Sequence, residues 1–342
     1  MKIFGIRGRT GDSTILIGER LHNLQDYIGS KEAVIITDKN VRDLYSSDFP
    51  PYEVIEIGEG EKIKNLNTVQ AVYGKLVDME ADRAACIVGI GGGIVCDIAG
   101  FAASTYLRGV RFGFVPTTLL SQADAGVGGK NGVNFRGYKN MVGVFRQPAF
   151  VLCDTNLLRS LPEREIICGL AEIVKHAVIA DVDLFSYLEG NYKHALELDA
   201  EVVERLVSDS VRIKSLIVGR DEIEEGERRT LNFGHTFGHA IERSTGISHG
   251  EAVSLGMVLA SALSARRGLL SENDRQRIEE LLKNLRLPTG PRLDEHGLLD
   301  ALRRDKKRKG DGIRFVLLQG LGNAVVEEIP MSELEAAIGR IP

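Results

Sequence analysis

Between Ala33 and Asp154 short β-branched runs alternate with helix-patterned stretches, and this alternation restricts the fold more than any other feature. Strands separated by helices need crossover connections, which build a mainly parallel sheet covered by helices. Ala33–Asp38 and Tyr52–Gly58 read as buried strands, a helix is expected over Asn67–Glu80, and the apolar run Ala85–Gly89 leads into glycines. Val110–Pro116 and Ala149–Asp154 supply further strands. Beyond about Pro162 the apolar spacing becomes helical, over Pro162–Asp181, Ala200–Ile217, Arg228–Arg243 and Glu251–Arg267. One late strand, Ile313–Leu318, and a closing helix, Met331–Ile338, complete the pattern before Gly339. The expected class is therefore α/β: a mainly parallel α/β domain over 1–157, followed by an all-α-rich domain over 158–342. Leu161-Pro162-Glu163-Arg164-Glu165 marks the junction, with Pro early and acids in the first helical turn.

A chain of 342 residues has the length of two domains, and 43% hydrophobic residues suffice for their cores. The net charge of −5 argues against nucleic acid as a partner. No uncharged apolar run approaches the roughly 20 residues that span a bilayer, and Met1 is not followed by a signal-type apolar segment. A cytoplasmic protein with no membrane partner is expected. Cys86, Cys96, Cys153 and Cys168 each lie in an apolar stretch without CxxC spacing, so they read as small buried hydrophobes.

Three segments carry chemistry. Gly89-Ile90-Gly91-Gly92-Gly93-Ile94 follows a strand and opens a helix bearing Asp97; such a turn can bring backbone N–H groups and a helix N-terminus to a phosphate. It is not GxGxxG, because Ile94 stands at the last glycine, and the acidic strand end, Asp38, precedes the glycines. The segment Thr117–Asn140 sets Asp124, Lys130, Lys139 and Asn140 among glycines, a loop suited to holding an anion. Glu172 and Lys175 share a helical face at i, i+3. His235 and His239 share another at i, i+4, with His249 close behind. A carboxylate and two of these histidines would make a catalytic metal set, and spacing leaves open which two. Arg228 lies seven residues before His235, on the same face if one helix carries both. With Lys175, Lys214 and the Asp305-Lys306-Lys307 run, these features describe a site for an anionic, hydroxyl-rich substrate.

The blocks DKNVRDLY, GEGEKIKNLNT, GGGIVCDIAGFAASTYLRGVRF, VPTTLLSQADAGVGGKNGVN, LPEREIICGLAEIVKHAVI, RRTLNFGHTFGHAIE, SHGEAVSLGM and RDKK then IRFVLL resemble the 3-dehydroquinate synthase family, in the family's order from Asp38 to Leu318. The resemblance implies a divalent metal, Zn or Co, on Glu172, His235 and His249, with His239 left for proton work. It implies NAD at Asp38, Asn40, Glu61, Lys64, Gly92, Gly93, Asp97, Thr117, Thr118 and Lys139, and also at Ser160, Leu161 and Glu165. Asp124, Lys130, Asn140, Lys175, Lys214, Arg228, Asn232 and Lys306 match positions around the substrate. The implied reaction converts 3-deoxy-D-arabino-heptulosonate 7-phosphate to 3-dehydroquinate and phosphate. It runs through transient oxidation by NAD, phosphate elimination, re-reduction and aldol closure, in a cytoplasmic homodimer with the site in the cleft between its domains. Asn131 stands where the family has Thr, Phe135-Arg136-Gly137-Tyr138 replaces Leu-Pro-x-Gly, and the His239–His249 stretch is short. A related sugar-phosphate cyclase, such as aminodehydroquinate synthase, is the nearest alternative, with a metal-dependent polyol or glycerol-phosphate dehydrogenase behind it.

Overall fold

The computed structural model describes residues 1–30, 32–290, 308–309 and 312–338, the side chains of 308–309 and 335–338 excepted. The chain forms two compact units, 1–161 with 214–223, and 162–213 with 224–342.

The first unit is built on seven strands, β1 (Lys2–Gly8), β2 (Gly11–Ile17), β3 (Ala33–Asp38), β4 (Glu53–Ile57), β5 (Cys86–Gly91), β6 (Arg111–Pro116) and β9 (Phe150–Cys153). Their order is β1-β2-β9-β6-β5-β3-β4, and every neighbouring pair is parallel except β1 with β2. Helices α1 (Gln25–Ile28), α2 (Lys39–Tyr45), α3 (Leu66–Asp78) and α4 (Gly93–Thr105) supply connections. Asp38 caps α2 by accepting from Val41 N, and Asn65 caps α3 through Thr68 N. Ile35, Val88, Ile90, Val115 and Leu152 form one buried cluster across the middle strands. All of these middle strands were expected. The β1–β2 hairpin was not, because β1 is largely exposed and lacks a continuous apolar run.

The segment expected as a polar loop also folds further than its composition suggested. Ser121–Ala125 makes one wide helical turn, and β7 (Lys130–Phe135) pairs antiparallel with β8 (Tyr138–Phe145). Arg136 and Gly137 both have positive φ, the conformation that closes a two-residue hairpin. Asn131, Gly132 and Val133 are buried, so this strand's inward face carries small and polar residues and escapes a hydrophobic-pattern reading.

The second unit holds α5 (Glu163–Ala180), α6 (Val182–Leu196), most of α7 (Ala200–Arg220), α8 (His235–Thr245), α9 (His249–Arg266) and α10 (Glu272–Asn284). The late strand expected alone is the centre of an antiparallel sheet, β10 (Arg308–Lys309), β11 (Gly312–Leu318) and β12 (Ala324–Pro330). The continuous helix expected over Arg228–Arg243 is also corrected. Glu227–Asn232 is a tight 3₁₀ segment, Phe233 is extended and Gly234 is left-handed (φ 76°), so α8 begins only at His235. Arg228 therefore does not share a helical face with His235. Gly234 enforces the break: its backbone meets α9 so closely that an added Cβ would lie 3.0 Å from Val253 O. The four cysteines are buried and free, as their apolar settings predicted.

Candidate active site

Within the second unit three helices bring one side chain each to a point. Glu172 lies in the interior of α5, while His235 and His249 are the first residues of α8 and α9. Glycines allow the approach. A Cβ on Gly250 would lie 2.4 Å from Cys168 Cα, one turn before Glu172, and one on Gly256 would lie 1.9 Å from Gly234 O. The start of α9 is fixed by a capping box, in which Ser248 accepts from Glu251 N and Glu251 accepts from Ser248 N.

His235 Nε2 is 3.5 Å and His249 Nε2 is 3.3 Å from Glu172 Oε1. Among the described residues no hydrogen-bond donor satisfies that buried oxygen. Donor atoms on a tetrahedral ion with bonds of about 2.0–2.2 Å stand about 3.3–3.6 Å apart, so the spacing suits a shared cation better than a hydrogen bond. The outer nitrogens are also held. His235 Nδ1 lies 3.1 Å from Phe233 O and His249 Nδ1 lies 3.5 Å from Glu242 Oε2. Acceptors at Nδ1 keep the proton there and leave Nε2 free to ligate. Burial alone would raise the Glu172 pKa, but Lys175, 2.5 Å from Oε2, and His235 hold it well below the ordinary carboxylate range. Burial lowers His235, whereas Glu172 and Glu242 outweigh burial at His249 and raise it to about 9. A metal would have to displace that proton.

The other expected residues of the second unit are placed as follows. The His239 ring lies 5.3 Å from His235 and 6.2 Å from His249. Lys175 and Arg228 are buried, and the Asn232 amide donates to Glu224. Glu165 occupies the first turn of α5. Lys306 lies outside the described residues.

In the first unit the expected cofactor residues collect at the carboxyl ends of parallel strands, where open α/β sheets bind nucleotides. Asp38 ends β3, Glu61 and Lys64 follow β4, Gly92 and Gly93 follow β5, and Thr117 and Thr118 follow β6. Asn40 lies in the first turn of α2. Thr117 N donates to Gly91 O at 2.9 Å, and a Cβ on Gly92 would come 3.2 Å from Thr118. Lys64 pairs with Asp97 in α4. Burial raises the Asp97 pKa against the opposing pull of that ammonium, and burial also raises Asp38. Lys139 on β8 stands 3.8 Å from Glu61. Asn140, left-handed at φ 49°, donates its backbone N–H to Asn134, whose amide donates to Glu61. Ser160 is fixed by the Tyr45 hydroxyl at 2.6 Å and is followed by Leu161. Asp124 receives the Lys214 ammonium on its carboxylate and, at 2.7 Å, on its carbonyl. Lys130 opens β7, and Asn131 beside it donates to Gly129 O at 3.1 Å and Arg146 O at 2.9 Å, staples that a Thr hydroxyl would not reproduce together.

Family models for 3-dehydroquinate synthase match the chain, the N-terminal model over residues 54–168 and the C-terminal model over 169–308. The chain belongs to the 3-dehydroquinate synthase family. A 3-dehydroquinate synthase of Halorhodospira halophila is 43% identical, over 89% of this chain and 88% of that protein. Among solved structures, a 2-deoxy-scyllo-inosose synthase complexed with carbaglucose-6-phosphate, NAD+ and Co2+ aligns over 100% of both chains, at 26% identity and TM-score 0.89. A 2-epi-5-epi-valiolone synthase from Streptomyces hygroscopicus with NAD+ and Zn2+ bound aligns over 99% of this chain and 98% of its own, at 29% identity and TM-score 0.88. Beyond what the family resemblance implied, the geometry adds Glu242 and the Phe233 carbonyl, which hold the two imidazoles. Glu242 lies seven residues after His235 on one helix, a spacing that could have flagged it.

Proposed function

We propose that the chain is a 3-dehydroquinate synthase, a phosphorus–oxygen lyase that converts 3-deoxy-D-arabino-heptulosonate 7-phosphate to 3-dehydroquinate and inorganic phosphate. The observation that carries this reading is the Glu172, His235 and His249 set, with its spacing and its Nδ1 acceptors, in a chain of this family. Those three residues would hold a divalent Zn or Co ion. The carboxyl edge of the first unit's sheet would hold NAD, with Asp38 at a ribose, Gly92, Gly93, Thr117 and Thr118 at the pyrophosphate, and Asn40, Glu61, Lys64, Asp97, Lys139, Ser160, Leu161 and Glu165 completing its surroundings. When bound, NAD supplies a reversible hydride acceptor and the ion a Lewis acid.

The chain's own residues then do the positioning. Lys130, Lys175, Lys214 and Arg228 would present cations to the substrate's phosphate and carboxylate, and the family resemblance gives Lys306 the same role. Asn140 and Asn232 offer amides to hydroxyl groups, and Asp124 keeps the Lys214 ammonium aimed. His239, whose ring lies 5.3 Å from His235 and 6.2 Å from His249, would move a proton during ring opening. No helix among the described residues is long and apolar enough to cross a membrane. The family resemblance supports the further reading of a cytoplasmic homodimer acting on a small sugar phosphate. The solved relatives are a 2-deoxy-scyllo-inosose synthase and a 2-epi-5-epi-valiolone synthase, so the test is a substrate panel. Protein loaded with NAD and Zn2+ or Co2+ should release phosphate from the heptulosonate phosphate without net NADH. Accumulating NADH would refute the cyclase reading, and turnover confined to an amino analogue would redirect the substrate assignment.

A further inference from the structure

The stretch Lys214–Ile223 leaves the helical unit and belongs to the first one. It carries Lys214, buried, with its ammonium on Asp124. Two residues past the end of α7, Glu222 is surrounded by donors from that same unit. Arg9 N at 2.7 Å and Thr10 N at 3.3 Å reach Oε2, while Thr10 Oγ1 at 2.5 Å and Gln147 Nε2 at 3.0 Å reach Oε1. The carboxylate lies against Gly8; a Cβ there would lie 2.3 Å from Oε1 and would push the carboxylate from this position. Gln147 belongs to the turn that closes on the Lys130 strand: Arg146 N donates to Gly129 O at 2.8 Å, and a Cβ on Gly129 would lie 2.9 Å from the Gln147 amide carbon. One carboxylate thus ties the segment bearing Lys214 to the turn between β1 and β2, and to the backbone that sets Lys130.

We infer that Glu222 is a positioning residue, which holds Lys214 and Lys130 in the places from which they bind the substrate's anionic groups. That these two lysines bind the substrate, and which substrate it is, rests on the function proposed above, whereas the placement of Lys214 does not. The four donors named need an acceptor-only group; a glutamine that kept its oxygen on the two backbone N–H groups would set its own N–H2 against the Gln147 amide N–H2. Displacing a substrate-holding cation by about 1 Å can cost up to 10²-fold in turnover efficiency.

The test compares wild type, Glu222→Gln and Thr10→Val, all loaded with NAD and Zn2+. The first readout, independent of any substrate, is acetylation of Lys214 by an amine-reactive ester, followed by mass spectrometry. Lys214 should be protected in wild type and should react several-fold faster in Glu222→Gln. The second is steady-state kinetics with whichever sugar phosphate the panel identifies. KM should rise about tenfold with kcat nearly unchanged, while NAD affinity and metal content, which report the fold, stay at wild-type values. Thr10→Val should move both readouts the same way by less, and the double variant should add nothing to Glu222→Gln. Unchanged Lys214 reactivity, a parallel loss of NAD affinity, or a lowered melting temperature with wild-type KM would each overturn the assignment by making Glu222 merely structural.

Discussion

Gly256 sets how closely α8 and α9 can pack, and so how far apart two metal-type ligands stand. In Gly256→Ala the new methyl would fall 1.9 Å from Gly234 O and 2.9 Å from Gly238 N, both backbone atoms that no rotamer change can clear. Carbon and oxygen settle at about 3.3 Å or more, so the helices must part by about 1.4 Å. His235 directly follows Gly234, and its Nε2 would move from 3.5 Å toward about 5 Å from Glu172 Oε1 if the shift is taken up there. A tetrahedral ion tolerates about 3.3–3.6 Å between ligand atoms, so affinity should fall at least 10–100-fold, as when a ligand's support is lost. Overpacking should also cost about 1–3 kcal/mol of stability. The assay is Zn2+ competition against a chromogenic chelator, alongside thermal unfolding of the metal-free protein. Gly190→Ala in α6 is the control: nothing lies within 4 Å of its Cβ, so it should gain roughly 0.5–1 kcal/mol and bind metal normally. If Gly256→Ala holds Zn2+ as tightly as wild type, the helix spacing does not set the ligand geometry and the reasoning fails.

Three further outcomes are expected. His235→Ala should abolish tight metal binding, and an unchanged metal content by atomic absorption would remove His235 from the ligand set. Glu242→Gln should weaken metal about 10–100-fold by freeing the His249 ring, read in the same chelator competition; wild-type affinity would show that the carboxylate does not orient the imidazole. Burial would raise the Glu222 pKa, but its hydrogen bonds outweigh burial and lower it. Its stabilisation is then complete above the ordinary glutamate pKa of about 4.3 and lost as pH falls through the lowered value. The melting-temperature gap between wild type and Glu222→Gln should be constant from about pH 6 to 8 and narrow as pH falls below the ordinary glutamate value, and a gap that widens in acid would contradict the sign.

The middle strands were legible because they are buried on both faces and read as unbroken apolar runs. Ala33–Asp38 is almost wholly inaccessible, and its bounds were read without error. Helices with an amphipathic period, such as Ala200–Arg220, expected over Ala200–Ile217, were legible from the spacing of their apolar residues. What failed was structure held by single backbone events. Gly234 turns a helical-looking stretch into a 3₁₀ segment and a separate helix, because its carbonyl must pass Gly256, a partner in another helix that periodicity cannot see. The β7–β8 hairpin escaped because its inward residues are Asn131 and Gly132, with only Val133 apolar. At the candidate site, spacing brought Glu172 and three histidines into view but could not choose two. Family resemblance made that choice, and the structure adds a physical ground for it: His235 and His249 each turn a nitrogen toward Glu172 and hold the other at an acceptor. Glu222 carried no motif at all; donors as far apart in sequence as Arg9, Thr10 and Gln147 define it.

The passage of α7 from one unit into the other has a consequence for how the molecule is made. A ribosome delivers β1, β2 and the whole parallel sheet by residue 153, yet the first unit is not complete until Lys214–Ile223 emerges some sixty residues later. Until then the turn at Arg9 and Thr10, and the amide of Gln147, lack the carboxylate that gathers them. Domains generally fold as units during synthesis. Here the N-terminal unit must wait for a piece of its own structure that arrives behind the first helices of its neighbour. A chain cut at Leu161 would be expected to collapse around its sheet but leave that hairpin turn loose, and proteolysis of such a fragment should begin there.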